Sequence, residues 1–338
     1  MKPNIIATLG NQFDYSDMKI IDELLENNVD YFRFNLSKYE DISALESRVK
    51  MISNIQRNYH NKIKIMLDLP FPGRKPRLYI PEKQRDVSKG EQIIFSSDKS
   101  LRMTEDIVFV DVEKFGKKVE ECSDIVYADG EGSFKVLEKY DNNTAKVVAN
   151  NSFIMYNTKS LSFNFFVTNN NFSKDYCDVI SQIETEGIAF SFVTHAEEVL
   201  RIKEYLNTKS IISKIESEKG IANVDNIASV SNIMLGRGDL CLNANLYKLV
   251  EYQRKVANAC KNNHSEFYFA TGILSSLVKQ PRPSQADIVD VTNILMLKPE
   301  YIIFNYALIL HNCITAIETV NRIYEYNKDT ISKECINH

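Results

Sequence analysis

Two residues of opposite charge, Lys214 and Glu216, are separated by one position in the run ISKIES. Because successive side chains of a β-strand point to opposite faces, a strand here would place both charges on one face. An ammonium group beside a carboxylate at the carboxyl end of a strand can hold a phosphoryl group and ligate a metal ion. The alternative is a buried ion pair that only stabilises the fold.

A second candidate is the segment GRGDL at positions 236–240. Glycine permits positive φ and a close approach of the backbone to a ligand. Free backbone N–H groups in such a turn can hold an anion, and the carboxylate of Asp239 can ligate a hard cation. The alternative is an ordinary turn between a strand and a helix, capped by Asp239.

Arg33, Asn35 and Ser37 alternate in the run RFNLS and would therefore share one face of a strand. A guanidinium group suits a carboxylate or phosphate because it donates two parallel hydrogen bonds. The side-chain oxygens of Asn35 and Ser37 suit a monovalent or hard cation. This face is therefore a further candidate for binding ions.

Two other strand ends carry polar groups. Asp68 ends an apolar run and is followed by LPFPGRKPR at 69–77, a basic segment stiffened by proline. That segment suits a polyanion, and a solvated basic hinge is the alternative. Thr271 follows the apolar run FYFA, so its hydroxyl could donate to an oxyanion, with a structural role as the alternative.

Short β-rich runs precede or contain each of these residues, and most are apolar on both faces, which is typical of buried parallel strands. The predicted strands are 4–9, 31–36, 63–69, 187–193, 210–216, 232–235, 266–271 and 301–305.

Amphipathic helical patterns lie between the predicted strands. Eight strand–helix pairs predict an α/β fold, the (β/α)8 TIM barrel, with a doubly wound sheet as the alternative. The predicted helices are 17–28, 41–59, 174–186, 196–207, 221–229, 244–262, 284–297 and 308–326.

The alternation is interrupted by short β-like segments and turn signals. We interpret residues 78–161 as a small all-β lid domain inserted after the third strand, at the end of the barrel where active sites lie. The barrel would then comprise residues 1–77 and 162–330, and residues 331–338 would form a tail.

The composition is that of a soluble globular protein. The 44% of hydrophobic residues argue against disorder, and the net charge of −4 argues against nucleic acid as a partner. No apolar run reaches the length of about 18 residues that a membrane span needs, and no secretory signal is visible. Six cysteines without a C-x-x-C pair predict reduced thiols in the cytoplasm and no structural zinc.

In their order and spacing, these motifs resemble the pyruvate kinase family over nearly the whole chain, up to Asp329. The family pattern R-x-N-x-S lies at 33–37, I-S-K-I-E at 212–216 and M-x-x-R-G-D-L at 234–240. The family's A-T-x-x-L element lies at 270–274, and its helix start P-R-P-S-x-A-D at 281–287. Asp129 corresponds to the D-G turn of the family's lid.

The resemblance implies catalytic roles for five residues. Lys214 would stabilise the phosphoryl group in transfer, and Arg33 would be a second contact to it. Thr271 would help to deliver a proton at the enolate face. Glu216 and Asp239 would bind Mg²⁺.

It also implies the substrate contacts. The amides of Gly238 and Asp239 would hold a carboxylate, and Arg77, Lys38 and Ser191 would be further substrate-binding residues, with Lys38 close to the nucleotide. The implied cofactors are Mg²⁺, K⁺ and ATP or ADP. The potassium site would comprise Asn35, Ser37, Asp68 and the carbonyl of Leu69.

Three departures from the family pattern concern the nucleotide end of the site. Lys38 and Tyr39 replace a His-Gly pair of the family. The segment 68–77 is altered and lengthened, so that Lys75 falls near the position that sets potassium dependence. Residues 305–308 replace an S-G-E-T motif. The resemblance also predicts that the regulatory C-terminal domain is absent. The pattern indicates a specialised paralogue, not necessarily a glycolytic enzyme.

We therefore predict a Mg²⁺-dependent phosphotransferase acting between phosphoenolpyruvate, or a related 2-oxo or hydroxy acid, and a nucleotide. One alternative is a metal-enolate lyase or aldolase of the wider phosphoenolpyruvate/pyruvate barrel superfamily. Another is a non-catalytic regulatory paralogue. The expected partners are these small molecules and a second copy of the chain in a homo-oligomer, with no nucleic acid and no membrane.

Overall fold

The computed structural model describes residues 2–10, 13–14, 17–36, 42–60, 62–121, 123–128, 130–163, 167–168, 174–206 and 210–333. The chain divides into two compact units. One comprises Met1–Pro72, Asn169–Leu240 and Tyr247–His338, and the other comprises Gly73–Thr168 and Cys241–Leu246.

Eight parallel strands form a closed barrel in the first unit, which confirms the predicted TIM barrel. Each strand pairs with the next in chain order, and β8 pairs with β1 to close the ring. Every residue of β4 and β5 is buried, as expected for strands covered on both faces. The strands are β1 Asn4–Leu9, β2 Tyr31–Asn35, β3 Lys64–Arg74, β4 Gly187–Ser191, β5 Ile211–Ile215, β6 Asn232–Gly236, β7 Phe267–Ala270 and β8 Tyr301–Phe304.

Helices connect the strands, and their bounds differ from the predictions where local capping decides them. The predicted helix 221–229 is two short helices that begin after Ser217, because the Ser217 hydroxyl accepts from the Gly220 N–H. The helices are Met18–Glu26, Ile42–Asn58, Lys174–Ile180, Ala196–Tyr205, Glu218–Ala222, Val224–Ala228, Arg237–Asn243, Leu249–Asn263, Gln285–Met296, Tyr306–Tyr326 and Lys328–Lys333, with 3₁₀ turns at Leu246–Lys248 and Ser275–Val278.

The helix Arg237–Asn243 was not predicted, and it begins directly after β6. The helix Gln285–Met296 begins where the PRPSQAD motif indicated. Ser284 is its N-cap and forms a capping box with Asp287, in which each side chain accepts from the other residue's N–H.

The second unit is β-rich, and it contains residues 78–161, the segment predicted as the insert, with flanking residues from Gly73 to Thr168 and with Cys241–Leu246. It includes one short helix, Phe115–Lys118, that the sequence pattern did not indicate. A seven-stranded sheet lies beside a pair formed by Gln84–Val87 and Phe153–Tyr156. The strands of the large sheet, in spatial order, are Leu161–Ser162, Asp124–Tyr127, Gly132–Lys139, Thr144–Ala149, Gln92–Ser96, Ile107–Val110 and Leu78–Tyr79.

Aromatic rings fill the core of the insert. Phe95, Phe115 and Phe134 are fully buried, and the ring centroids of Phe95 and Phe134 lie 4.9 Å apart. Because a unit of this size has a small core, each ring supplies a large share of its stability.

No helix among the described residues is long and apolar enough to cross a membrane. Four cysteines in the described part of the chain, Cys177, Cys241, Cys260 and Cys313, are free thiols.

Replacing Phe134 by alanine should lower the free energy of unfolding of the insert by about 3–5 kcal/mol, because it removes a buried ring and leaves a cavity. Leu137 lies on the same strand with 41% of its surface exposed, so Leu137→Ala is the matched control and should change that free energy little. Urea denaturation followed by far-ultraviolet circular dichroism measures both. Equal losses would contradict this description of the core.

Candidate active site

A buried ammonium group lies at the centre of the candidate site. Lys214, on β5, donates from Nζ to the Ser191 hydroxyl at 2.9 Å. The same Nζ lies 3.1 Å from Oε1 of Glu216 and 3.2 Å from Oδ1 of Asp68. Three neighbouring strands, β3, β4 and β5, thus bring their carboxyl ends to one amine. Lys214 and Glu216 do point to the same side, as strand alternation predicts.

The charges of this cluster depend on one another. Burial lowers the pKa of Lys214, but Asp68 and Glu216 raise it, and the net pKa is raised, so the amine keeps its proton. Burial raises the pKa of Glu216 to about 7, although Lys214 and a hydrogen bond from the Phe192 N–H at 3.0 Å lower it. The negative charge of Asp239 also raises it. Glu216 is therefore the group whose charge changes near neutral pH.

Asp68 links Lys214 to Arg33. Nε of Arg33 donates to Oδ2 of Asp68 at 2.9 Å, and Nη1 donates to the Thr8 hydroxyl at 3.0 Å. Burial raises the pKa of Asp68, but the positive charges of Lys214 and Arg33 lower it by more, so the net pKa is below its ordinary value. A residue predicted to contact phosphate is thus paired with one predicted to bind potassium. Thr8 did not figure in the sequence prediction.

The remaining predicted residues are placed differently. Asn35 pairs in register with Asp68 across β2 and β3, and Leu69 is fully buried. Arg77 lies in the second unit, where its guanidinium donates to the Thr158 carbonyl at 3.2 Å. Ser37, Lys38 and Asp129 lie outside the described residues.

The two glycines of the GRGDL segment make room for side chains. A Cβ at Gly236 would lie 2.6 Å from Oε1 of Glu216, and one at Gly238 would lie 2.6 Å from Cγ2 of Thr271. The positive φ that glycine permits is not used here, because Gly236 ends β6 and Gly238 lies in the helix that begins at Arg237. The described glycines with positive φ are Gly90, Gly130 and Gly272.

The backbone strain lies at Thr271, which has a φ of +73°, a conformation that β-branched residues rarely adopt. Arg237 holds it in place. Its Nε donates to the Thr271 carbonyl at 3.1 Å, and Nη2 donates to the Gly272 carbonyl at 3.0 Å. Two further hydrogen bonds, of 2.6 and 2.7 Å, join the same guanidinium to Asp290.

Arg237 and Asp290 are functional candidates that the sequence pattern missed. Arg237 lies in the GRGDL segment, in which the sequence analysis assigned roles to the glycines and Asp239 alone. Asp290 carried no local signal, since it lies 53 residues from Arg237 in the chain. The guanidinium also lies 5.1 Å from the centre of the Phe269 ring. The arrangement presents the exposed Thr271 side chain from a fixed backbone.

The acidic groups suit one kind of metal ion. Among the described residues, no group of three or more His, Cys, Asp or Glu side chains could hold a metal by itself. Glu216 and Asp239 supply two carboxylates near each other, as their electrostatic coupling indicates. Mg²⁺ is commonly held by one or two carboxylates, with water and substrate oxygens completing its shell, so these residues fit that ion.

Comparison with known proteins settles the family. A model described as the barrel domain of pyruvate kinase matches residues 1–302. The chain belongs to the pyruvate kinase family.

Curated relatives agree with this assignment. Pyruvate kinase of Thermotoga maritima is 27% identical over 300 residues, which cover 86% of this chain and 63% of that protein. Pyruvate kinase of Thermoplasma acidophilum is 27% identical over 347 residues, covering 98% and 59%. The cytosolic isozyme of Nicotiana tabacum is 25% identical over 309 residues, covering 87% and 60%. The chain spans about three-fifths of the length of these relatives.

In this pyruvate kinase family member, Arg237→Lys should lower the free energy of unfolding by about 2–3 kcal/mol, because lysine cannot serve Asp290 and two carbonyls at once. Asp290→Asn should act through the same contacts, so the double variant should lose less than the sum of the single losses. Denaturation in urea measures all three variants. Arg254→Lys, on the exposed face of Leu249–Asn263, is the control. Strict additivity would contradict the arrangement.

The raised pKa of Glu216 predicts a pH dependence of stability. Between its ordinary value of 4.5 and about 7, the folded protein keeps a proton there that the unfolded chain releases. Stability from this group is therefore present below pH 4.5 and lost as pH rises to about 7.

The variant Glu216→Gln should lack this decline. Between pH 5 and 7 its free energy of unfolding should therefore rise, relative to that of the unmodified protein, by an amount on the order of 1 kcal/mol or more. Urea denaturation at pH 5, 6, 7 and 8 provides the measurement. Glu138→Gln, at an exposed position, should run parallel to the unmodified protein. Parallel curves for Glu216→Gln would refute the assignment.

Proposed function

We propose that the protein is a Mg²⁺-dependent phosphotransferase that moves a phosphoryl group between phosphoenolpyruvate, or a related 2-oxo or hydroxy acid, and a nucleotide. The observation that carries this proposal is the ammonium group of Lys214, held between the carboxylates of Asp68 and Glu216 at the carboxyl ends of the barrel strands. Active sites of this fold lie at that end of the barrel.

Lys214 would act on the charge of the transferred group. Phosphoryl transfer needs positioned positive charge more than covalent catalysis, because negative charge is spread over the non-bridging oxygens in the transition state. The raised pKa of Lys214 keeps that charge in place. Its contacts with Ser191, Asp68 and Glu216 fix where the charge points before any substrate binds.

Glu216 and Asp239 would hold the Mg²⁺. When bound, this ion supplies Lewis-acid stabilisation of the developing negative charge. Glu216 has to lose its proton to bind a cation, and its pKa of about 7 places that change near neutral pH. Gly236 leaves the space that the Glu216 carboxylate occupies.

Thr271 would serve at the enolate face, where its hydroxyl can donate or relay a proton. Its side chain packs against Gly238, so a carboxylate held by the amides of Gly238 and Asp239 would lie close to it. Arg33 would supply further positive charge next to Asp68. These roles follow the family resemblance.

The rest of the proposal concerns the other ligands. Lys38 and Arg77 would bind the nucleotide and substrate, and K⁺ would bind at Asn35, Ser37, Asp68 and the Leu69 carbonyl. The insert, predicted over 78–161 with Asp129 in its D-G turn, would act as the lid. We also propose a cytoplasmic setting and a homo-oligomer.

The purified protein with Mg²⁺ should form pyruvate and ATP from phosphoenolpyruvate and ADP, or act on another member of a panel of 2-oxo and hydroxy acids. Lys214→Met should lower kcat by about 10²–10³-fold, because one positioned donor to the transition state is lost. Coupled spectrophotometry and mass spectrometry of the products measure turnover, with and without K⁺ and after removal of Mg²⁺ by a chelator.

Lys255→Met, at an exposed position on Leu249–Asn263, is the control and should leave kcat unchanged. Circular dichroism shows whether each variant is folded. No turnover over the whole panel of acids and nucleotides would refute the proposal. Metal-dependent cleavage of a C–C bond without nucleotide would point to a lyase instead, and binding without reaction would point to a regulatory protein.

A further inference from the structure

The polar residues of the candidate active site form one layer inside the barrel, above an apolar layer. The apolar residues on β1 to β5 are Ile6, Tyr31, Met66, Ala189 and Ile212. Because alternate residues of a strand share one face, the residues two positions further along each strand also face the interior. In strand order, these are Thr8, Arg33, Asp68, Ser191 and Lys214.

A chain of contacts joins these five side chains. Lys214 contacts Ser191 and Asp68, and Asp68 accepts hydrogen bonds from Arg33. Arg33 also donates from Nη1 to the Thr8 hydroxyl at 3.0 Å. Thr8 lies opposite Arg33 in the register of β1 and β2, and it is only 5% exposed. Thr8 is therefore a buried polar group at the end of the network that holds Lys214.

Asp68 by itself does not fix the orientation of the Arg33 guanidinium. Nε and Nη2 of Arg33 both donate to a single atom, Oδ2 of Asp68. Two donors on one acceptor atom allow the group to turn about that atom, whereas two acceptor oxygens would fix its direction. The Thr8 hydroxyl supplies the second point of attachment, on a different strand. The guanidinium is thus held between β1 and β3.

Arg33 keeps two N–H groups for a ligand. A guanidinium carries five N–H groups, one on Nε and two on each terminal nitrogen. Within the described part of the chain, Asp68 and Thr8 use three of them, so one remains on Nη1 and one on Nη2. The Arg33 side chain is 15% exposed, so part of it is accessible to a ligand. Such a pair of N–H groups suits two oxygens of one phosphoryl group.

We propose that Thr8 is a positioning residue that orients Arg33, so that the two remaining N–H groups point at the transferred phosphoryl group. The inference rests on the proposed function for the identity of that group. Without the Thr8 hydroxyl, Arg33 would keep its charge and its contact with Asp68 but would lose its fixed direction. A donor that is already oriented stabilises the transition state more, because it does not have to reorganise during the reaction.

Calorimetric titration of the full chain with 2-phosphoglycolate and with oxalate, both in buffer containing Mg²⁺, tests the proposal. Both probes carry carboxylate, and only the first carries a phosphoryl group. Thr8→Val keeps the shape of the side chain and removes the hydroxyl. It should weaken the binding of 2-phosphoglycolate by about 10-fold, as expected for a hydrogen bond to a charged group, and leave the affinity for oxalate unchanged.

Two further variants control for the loss of a buried hydroxyl. Thr8→Ser keeps the hydroxyl and should retain the affinity for 2-phosphoglycolate. Thr319→Val removes a buried hydroxyl that donates to the Thr315 carbonyl in the helix Tyr306–Tyr326, and it should change neither affinity. Circular dichroism verifies that each variant is folded, and Thr8→Ala removes the same hydroxyl if Thr8→Val does not fold.

A double-variant cycle shows whether Thr8 acts through Arg33. Arg33→Lys leaves no guanidinium to orient, so adding Thr8→Val should weaken the binding of 2-phosphoglycolate no further. A merely structural Thr8 would weaken binding equally in both backgrounds. That result, an unchanged affinity in Thr8→Val, equal weakening of oxalate, or failure of 2-phosphoglycolate to bind the unmodified chain would overturn the proposal.

Turnover separates this inference from the proposed function. With a substrate that the chain converts, Thr8→Val should lower kcat by about 10-fold and leave the KM of the nucleotide unchanged, because Arg33 acts on the transferred group. Unchanged kcat with intact phosphotransferase activity would refute the role of Thr8 alone. A loss of 2-phosphoglycolate binding in Thr8→Val without any turnover by the unmodified chain would support the role of Thr8 and refute the proposed function.

Discussion

Burying a positive charge is the constraint on which the candidate active site depends. An ammonium group removed from water loses several kcal/mol of solvation unless opposite charges and hydrogen bonds replace it. Lys214 meets this requirement with one carboxylate from β3, a second directly after β5, and a hydroxyl from β4. The three strand ends must therefore stay in register with one another, and the barrel is what keeps them so.

The same requirement explains the residues around the cluster. Two carboxylates close to one amine would leave excess negative charge, and Arg33 balances it from the side of β2. Glu216 needs space next to a neighbouring strand, and only a residue without a side chain at position 236 provides it. The positions of Arg33 and Gly236, which look unrelated in the sequence, are thus consequences of one electrostatic arrangement. Arg237 forms a separate arrangement with Asp290 that holds the carbonyls of Thr271 and Gly272 beyond β7.

Much of this could be predicted from the sequence, because it depends on local periodicity. The eight parallel strands follow from apolar runs, and the common orientation of Lys214 and Glu216 follows from the alternation of side chains along a strand. The pairings of Arg33 with Asp68 and of Arg237 with Asp290 could not be predicted, since each joins residues far apart in the chain. The contact of Gly236 with the Glu216 carboxylate could not be predicted either, because a glycine can make room for a ligand or for a neighbouring side chain, and only the fold distinguishes the two.

The way the insert joins the barrel has a consequence for how the chain can vary. Strand β3 continues to Arg74, and the returning strand Val167–Thr168 pairs with its last residues in antiparallel register. The chain therefore leaves and returns across a gap of about 5 Å, the spacing of paired strands. The insert is folded around a hydrophobic core of its own, so its two ends can be held at that spacing whatever its length. Changes in the length of the insert that keep this pairing should therefore leave β3 undisturbed, which leaves that segment open to evolutionary exchange.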